Sequence, residues 1–242
     1  MAIDITNATI GGSSNMLPPF TVQQVLLTSI KHENGKDKND NPYHCIKVEF
    51  ENKDGVFTET LFCPIKSEDP EGFVRKTLGN SKYPNPSKEE QFIYGLLDII
   101  HVMEDKDVAR FKRYYAKFDP TTSVQVFEKF CAGVEQLVNE TIITPKLELQ
   151  IKLSGDSQGR YPRRGGTISL NKDGNVYVST FIARASDKPL TFSANEVKYI
   201  EKVKAGSYAG KPTKVSDDLD DAGIEPANDI DRGITDEELD AI

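Results

Sequence analysis

The chain lacks tryptophan and has only three cysteines and three histidines among its 242 residues. Cys45, Cys63 and Cys131 are odd in number and show neither CxxC nor Cys/His ligand spacing. We therefore expect free thiols, no metal, no cofactor and a reducing, cytoplasmic compartment. The GxSxG, P-loop and HExxH motifs are also missing, which predicts a protein that is not an enzyme.

Long apolar runs are missing as well. No apolar stretch approaches the ~20 residues that a membrane-spanning helix needs. The sequence does not open on a cationic, apolar leader of the secretory type. We expect neither membrane insertion nor secretion, and one medium-sized domain that folds without disulfides.

Positive charge is scarce at one end of the chain only. Residues 216–242 hold eleven carboxylates against the single cation Arg232, a net charge of −10. The preceding residues hold 29 basic and 27 acidic side chains, a net charge of +2, and the segment 146–214 alone carries +7. Such a division is typical of a protein whose body binds a polyanion and whose tail mimics that polyanion and recruits partners.

Alternation and turn residues predict strands at both ends of the body. Val22–Ile30, Tyr43–Glu51 and Val56–Cys63 are the first three, with a long polar loop over 32–42 and a hairpin turn over 52–55. A fourth strand is predicted over 145–153, followed by a loop over 154–166. A hairpin then pairs 167–170 with 176–183, and residues 195–204 suit either a short helix or a closing strand.

Between the two groups of strands, residues 68–144 show the spacing of helices, with Ser87 and residues 121–123 as candidate N-caps. The basic, aromatic stretch KDVARFKRYYAKF (106–118) suits contact with a nucleic-acid backbone. The alternative is an amphipathic helix that packs Phe111, Tyr115 and Phe118 inward and keeps its lysines in solvent.

This pattern predicts a mainly β, α+β fold with a helical insertion. The economical architecture is a five-stranded Greek-key barrel of the oligonucleotide-binding (OB) type, followed by a disordered acidic tail. We expect a flexible arm over 1–19, an OB-like barrel over 20–205 with its insertion at 68–144, and a linker and tail over 206–242.

The candidate binding residues are aromatic and basic side chains on the later strands. Tyr177 and Phe181 lie opposite the apolar face of their strand, where each could stack on a base, unless both faces of the strand are covered. The loop 159–166 adds arginines and a tyrosine between glycines, unless it is merely solvated. The full set of predicted nucleic-acid contacts is Tyr43, Lys47, Arg160, Tyr161, Arg163, Arg164, Lys172, Tyr177, Phe181 and Arg184.

With these features, the chain resembles the phage-type single-stranded DNA-binding proteins. The most specific similarity is the end of the tail, which resembles the acidic tip by which that family docks replication and repair proteins. This chain departs from the pattern by ending in Ile242, where bacterial and some phage members place Phe. The resemblance implies an OB barrel, sequence-independent binding of single-stranded DNA, possible self-association on DNA, and partner docking through the tail. The docking residues it implies are Asp236, Glu237, Glu238, Leu239, Asp240 and Ile242.

Two alternatives remain open at this point. One is a structural or assembly protein, such as a virion component or adaptor, whose aromatic residues are core and which binds no nucleic acid. The other is a nuclease or enzyme accessory subunit on an OB barrel, which would require carboxylates that cluster only in the fold.

Overall fold

The computed structural model describes residues 16–77, 84–171 and 173–206. Within these ranges the chain forms eight strands and four α-helices. The strands are β1 (Thr21–Lys36), β2 (Pro42–Asn52), β3 (Gly55–Phe62), β4 (Glu148–Gly155), β5 (Pro162–Arg164), β6 (Ile168–Leu170), β7 (Val176–Val178) and β8 (Ile182–Arg184). The helices are α1 (Lys88–Ile100), α2 (Asp105–Lys117), α3 (Val124–Val138) and α4 (Ala194–Lys204), with a 3₁₀ turn at Pro70–Phe73 and a π-helical turn at Asn139–Ile143.

The fold is a mixed α/β structure built on a curled antiparallel sheet. The strand order is β3-β2-β1-β4-β5, and β8 also pairs with β4. The long strand β1 pairs with β4 over its first part and with β2 over the remainder, with an irregular step between Leu27 and Ser29. An irregularity of this kind bends a strand, which lets β1 belong to both halves of the sheet.

The alternation predicted for β2 is confirmed. His44, Ile46, Val48 and Phe50 are all buried, whereas Glu49 on the opposite face is exposed. We call the buried face of the sheet its inner face and the opposite one its outer face. Helix α3 packs on the inner face, where the Phe127 ring centroid lies 5.8 Å from that of His44.

The long polar loop predicted over 32–42 is wrong, because β1 continues to Lys36 and β2 begins at Pro42. Only residues 37–41 connect the strands. The carboxylate of Asp37 makes this short turn possible, since its Oδ1 accepts the backbone N–H groups of Asn39 at 2.8 Å and Asn41 at 2.9 Å. The side-chain amide of Asn41, which donates to Asp37 Oδ2 at 3.2 Å, and these backbone hydrogen bonds hold the pKa of Asp37 below its usual value.

Three α-helices lie between β3 and β4, in the segment where helical spacing predicted them. Ser87 caps α1 with a reciprocal capping box to Glu90, and Ser123 caps α3. Helix α2 is amphipathic, which was the alternative to its contacting a nucleic-acid backbone. Phe111 is 3% exposed and contacts the Phe130 ring on α3, with centroids 6.0 Å apart. Its lysines face solvent.

The segment that suited either a helix or a strand forms helix α4, whose N-cap is Ser193. It packs on the outer face of β4, where Lys152 Nζ lies 2.7 Å from a carboxylate oxygen of Glu196. The preceding segment covers the same face, because Gln150 donates to the carbonyl of Lys188 and accepts from the N–H of Leu190. The outer face of β4 is therefore closed to ligands, unlike that of β2 and β3.

Candidate nucleic-acid interface

Tyr161 lies on a turn that is held by side-chain hydrogen bonds. The Asp156 carboxylate Oδ1 accepts the backbone N–H groups of Arg160 at 2.6 Å and Tyr161 at 3.2 Å. Gly159 takes a φ of +67°, in the left-handed region that favours glycine. The Tyr161 side chain is 52% exposed, and the Arg160 guanidinium lies 5.6 Å from its ring centroid. The turn thus presents an aromatic ring and a cation together to solvent.

Arg163 and Arg164 follow on β5 and have different surroundings. Arg164 lies inside the molecule, where its Nη2 is 2.6 Å from Asp98 on α1 and its Nη1 is 3.6 Å from Glu59 on β3. Its guanidinium also covers the Phe181 ring at 4.2 Å. Because successive side chains alternate across a strand, Arg163 belongs to the opposite face. It is half-buried and has no ion pair among the described residues.

The prediction of Arg164 as a nucleic-acid contact is therefore wrong. Its side chain is 8% exposed and is committed to Asp98, which is 3% exposed. This pairing could not be predicted from the sequence, because most of the helical insertion separates the two residues. Gly95 allows the close approach, since a Cβ atom there would lie 3.2 Å from Arg164 Nη1.

This cluster holds two carboxylates against one guanidinium. Burial raises the pKa values of Glu59 and Asp98, and the charge of Arg164 opposes both increases. Asp98 also accepts the backbone N–H of Phe181 at 3.3 Å. The cluster joins α1, β3 and β5, so its role is to hold the curled sheet and the helical insertion together.

The prediction that Tyr177 and Phe181 share one exposed face is wrong for Phe181. Tyr177 is 57% exposed, whereas Phe181 is completely buried against Arg164 and Phe50. The predicted strand is in fact two strands, because the chain leaves β7 after Val178 and pairs again with β4 at β8. The break lies where Gly166 contacts the backbone, since a Cβ atom there would be 2.2 Å from the carbonyl oxygen of Ser179.

Tyr177 stands on the β6–β7 hairpin, which is anchored to the helices. The hairpin turn forms as its Asp-Gly pair predicts, with Gly174 at a φ of +77°. Arg75 donates from Nη1 to the carbonyl of Gly174 at 3.0 Å and pairs with Glu90 at the start of α1. The hairpin is thereby held in place. Lys172, predicted as a contact, lies outside the described residues.

Tyr43 and Lys47 lie on the outer face of β2, as predicted from alternation. The half-buried Tyr43 ring covers Gly35, where a Cβ atom would lie 2.6 Å from it, and meets the Phe62 ring edge-on with centroids 5.8 Å apart. Lys47 pairs with Glu33 at 2.7 Å, and hydrogen bonding to that carboxylate raises the pKa of Lys47. A phosphate group would have to compete with Glu33 for this lysine.

Sequence reasoning missed Phe62 as a candidate. It is half-buried on the outer face of β3, directly opposite Cys45 in the strand register. Alternation from the buried residues Phe57 and Leu61 would have indicated this orientation. Arg184, by contrast, was predicted as a contact but is turned to the protein: its Nε donates to the carbonyl of Val102 at 2.5 Å.

The outer face of β2 and β3 continues towards the arginines of β5. Glu59 and Arg164 are both directed inward and lie 3.6 Å apart, so β5 runs near β3 without a hydrogen-bonded ladder between them. The neighbouring outward positions, Thr60 and Arg163, then belong to one surface. We call this surface, from Tyr43 and Phe62 through Arg163 to Tyr161, the outer aromatic face.

Comparisons of the chain with models of known protein families, with curated protein sequences and with solved structures find no match. Within the described ranges, His, Cys, Asp and Glu side chains form no group of three or more that could hold a metal ion. No helix in the described part of the chain is long and apolar enough to cross a membrane. The six predicted docking residues of the tail, within 236–242, lie outside the described residues.

Proposed function

We propose that this chain is a sequence-independent single-stranded DNA-binding protein that coats and protects DNA during replication or recombination. Its setting would be the cytoplasm of a host cell that carries a phage. The observation that carries the proposal is the exposure of Tyr161 and Tyr177, the only aromatic residues among the exposed large apolar side chains in the described ranges. An exposed ring beside a guanidinium, as at Tyr161 and Arg160, could stack on a base while the cation pairs with a phosphate.

The strand arrangement supports an OB-like five-stranded barrel as the scaffold. That architecture has a first strand shared between two halves of the sheet, a helical segment after the third strand, and a fifth strand near the third. OB folds bind oligonucleotides on the face of their second and third strands and on adjacent loops. On that scaffold the outer aromatic face would occupy the corresponding position.

Binding would combine stacking with charge neutralisation. Tyr161, Tyr177 and Tyr43 offer ring faces or edges to bases, and every base has a π-face, so stacking carries little sequence preference. Arg160 and Arg163 would pair with phosphates in bidentate geometry. Bases must be unstacked and accessible to stack on these rings, so single strands are the expected ligand.

The first test is a binding titration of the full-length protein with a labelled mixed-sequence oligonucleotide of about 30 bases. We expect tight binding that an unlabelled single strand displaces and a duplex of the same sequence does not. If about three to four phosphates are neutralised, the slope of log K against log salt should be roughly −2 to −3. Equal displacement by the duplex, or no binding at any salt concentration, would contradict the proposal.

The acidic tail has two roles in this account. In the absence of DNA its charge of −10 competes for the basic surface, and DNA binding releases it to recruit replication or recombination proteins. Its contacts with such proteins would come from the residues 236–242 that the family resemblance indicates.

Neutralising the tail should therefore strengthen DNA binding. A full-length variant with Asn and Gln replacing the Asp and Glu residues of 216–242 should bind the same oligonucleotide roughly three- to tenfold more tightly at low salt, with weaker salt dependence. Deletion of 216–242 should have the same effect. Agreement between the two variants would show that the charge of the tail, and not its length, weakens DNA binding. Unchanged affinity in both variants would rule out competition.

A structural or assembly protein without nucleic-acid binding is the second candidate. The burial of Phe181 and Arg164 favours it, since two of the ten predicted contacts are core residues. The same titration decides between the candidates, because this alternative predicts no binding by the tail-neutralised variant.

A further inference from the structure

A second surface of the molecule, on the helical insertion, has no role in the proposed DNA binding. Helices α2 and α3 flank an open groove of about 600 Å³. Its floor is apolar and aromatic, and includes Tyr114 and Phe118 from α2 and Val134 and Leu137 from α3. We call it the α2–α3 groove.

The floor of the groove is closely packed. The Tyr114 ring lies directly on Gly133, where a Cβ atom would be 2.2 Å from Tyr114 Cζ. The Tyr114 hydroxyl donates to the carbonyl of Lys129 at 2.6 Å, and its ring packs on Phe118 with centroids 4.9 Å apart. The absence of a side chain at Gly133 therefore lets the Tyr114 ring pack directly against α3.

The rim of the groove carries uncompensated positive charge. Arg110 pairs with Glu140 at 2.8 Å. Arg113, Lys117 and Lys129 also line the groove and are exposed, and no carboxylate lies within ion-pair distance of them in the described part of the chain. An occupant should therefore combine carboxylates with aliphatic side chains.

Nucleic acid fits this groove poorly. Phe111 is buried, and Tyr114 and Phe118 are half-buried against one another, so none of the three presents an exposed ring as Tyr161 and Tyr177 do. The apolar floor would also remain uncovered by a phosphate backbone. An acidic peptide satisfies both the rim and the floor.

The chain itself contains such a peptide. Residues 236–242 hold four carboxylates around Leu239, Ala241 and Ile242. We propose that the α2–α3 groove binds residues 236–242 of a second copy of this chain. This proposal rests on the proposed function, because the tail must be released by DNA. The released tail would then link one copy to its neighbour along the strand.

We expect the bound peptide to come from a second copy because of where the tail begins. Helix α4, which precedes the tail, packs on the outer face of β4, whereas α3 packs on the inner face of the sheet. A random coil of 29 residues, the number between 206 and 236, would have its ends roughly 30 Å apart. A folded body of this size is roughly 40 Å across, so the tail of the same copy must pass around the body to reach the groove.

The test is photo-crosslinking of full-length protein with p-benzoylphenylalanine in place of Leu239. This unlabelled protein is mixed with an excess of ¹⁵N-labelled wild-type chain, with and without an oligo-dT of about 60 bases. We expect crosslinks between unlabelled residue 239 and ¹⁵N-labelled peptides of α2 and α3, with a higher yield when DNA is present. The double variant Arg113→Glu/Lys117→Glu in the labelled chain should lower the yield about tenfold.

Lys112→Glu is the matched control, because Lys112 is exposed on the same helix but does not line the groove. It should leave the yield within about twofold. Crosslinks to the groove from within one chain only, crosslinks confined to residues 160–163, or no groove crosslink in either arm would each overturn the inference. Fluorescence polarisation of the oligo-dT in the same samples reports DNA binding separately, so failure of the proposed function is distinguishable.

Discussion

Replacing Arg164 with leucine is expected to lower the free energy of unfolding by about 3–5 kcal/mol at pH 7, the usual cost of leaving buried carboxylates without their cation. The substitution would leave Asp98 and Glu59, which are 3% and 14% exposed, without the guanidinium between them. Chemical denaturation of the full-length protein, followed by circular dichroism, measures the loss.

Two further variants separate charge from packing. The triple variant Arg164→Leu/Asp98→Asn/Glu59→Gln carries no charge in the cluster and should recover most of the lost stability. Arg163→Leu changes the adjacent residue on β5 and should cost less than about 1 kcal/mol, because Arg163 has no ion pair in the described part of the chain. Equal losses for Arg163→Leu and Arg164→Leu would contradict the buried assignment of Arg164.

The loss of stability in Arg164→Leu should also depend on pH. Burial raises the pKa values of Asp98 and Glu59 in the folded protein, so the folded state binds protons more readily than the unfolded state. Removing Arg164 raises these pKa values further. The destabilisation is therefore fully present above the raised pKa values and shrinks as the pH falls through them, because protonated carboxyl groups need no cation.

Replacing Tyr161 or Tyr177 with alanine is expected to weaken single-stranded DNA binding by about 1–3 kcal/mol each, the range for loss of one stacked base. This corresponds to roughly 5- to 150-fold in affinity. Both rings are more than half exposed, so the substitutions should leave the free energy of unfolding almost unchanged. Titration of each full-length variant with the oligonucleotide of about 30 bases measures the effect.

Phe181→Leu and Val197→Ala serve as controls for this prediction. Phe181 is fully buried, so Phe181→Leu should lower stability and leave the affinity of the folded protein unchanged. Val197 is exposed on α4 but has no ring on which a base could stack, so Val197→Ala should change neither property. A larger affinity loss for Phe181→Leu than for Tyr161→Ala would place the stacking site elsewhere.

Local patterns were sufficient to predict much of the scaffold. The alternation of β2 identified His44, Ile46, Val48 and Phe50 as its buried face, and Ser87 was identified as the N-cap of α1. These features depend on neighbouring residues only, through side-chain direction and hydrogen bonds within one turn. For the same reason, the exposed Tyr161 and Tyr177 could be picked out from the sequence.

The errors arose where distant residues decide the structure. Arg164 is buried because Asp98 and Glu59 meet it in the fold. Phe181 is buried because its strand ends after Val178 and the chain pairs again with β4, where the ring meets Arg164 and Phe50. Likewise, the polar end of β1 is a strand because it pairs with β2, not because of its own composition. No periodicity of a single segment carries this information.

The proposed function requires that single-stranded DNA bind the outer aromatic face and the β6–β7 hairpin. The most direct measurement is photo-crosslinking of full-length protein to an oligonucleotide containing 5-iododeoxyuridine, which reacts with nearby aromatic side chains, followed by mass-spectrometric mapping of the modified residues. We predict crosslinks at Tyr161 and Tyr177, with a further site at Tyr43 or Phe62. Crosslinks confined to the aromatic residues of α2, or the absence of any crosslink under conditions of saturating DNA, would contradict the account.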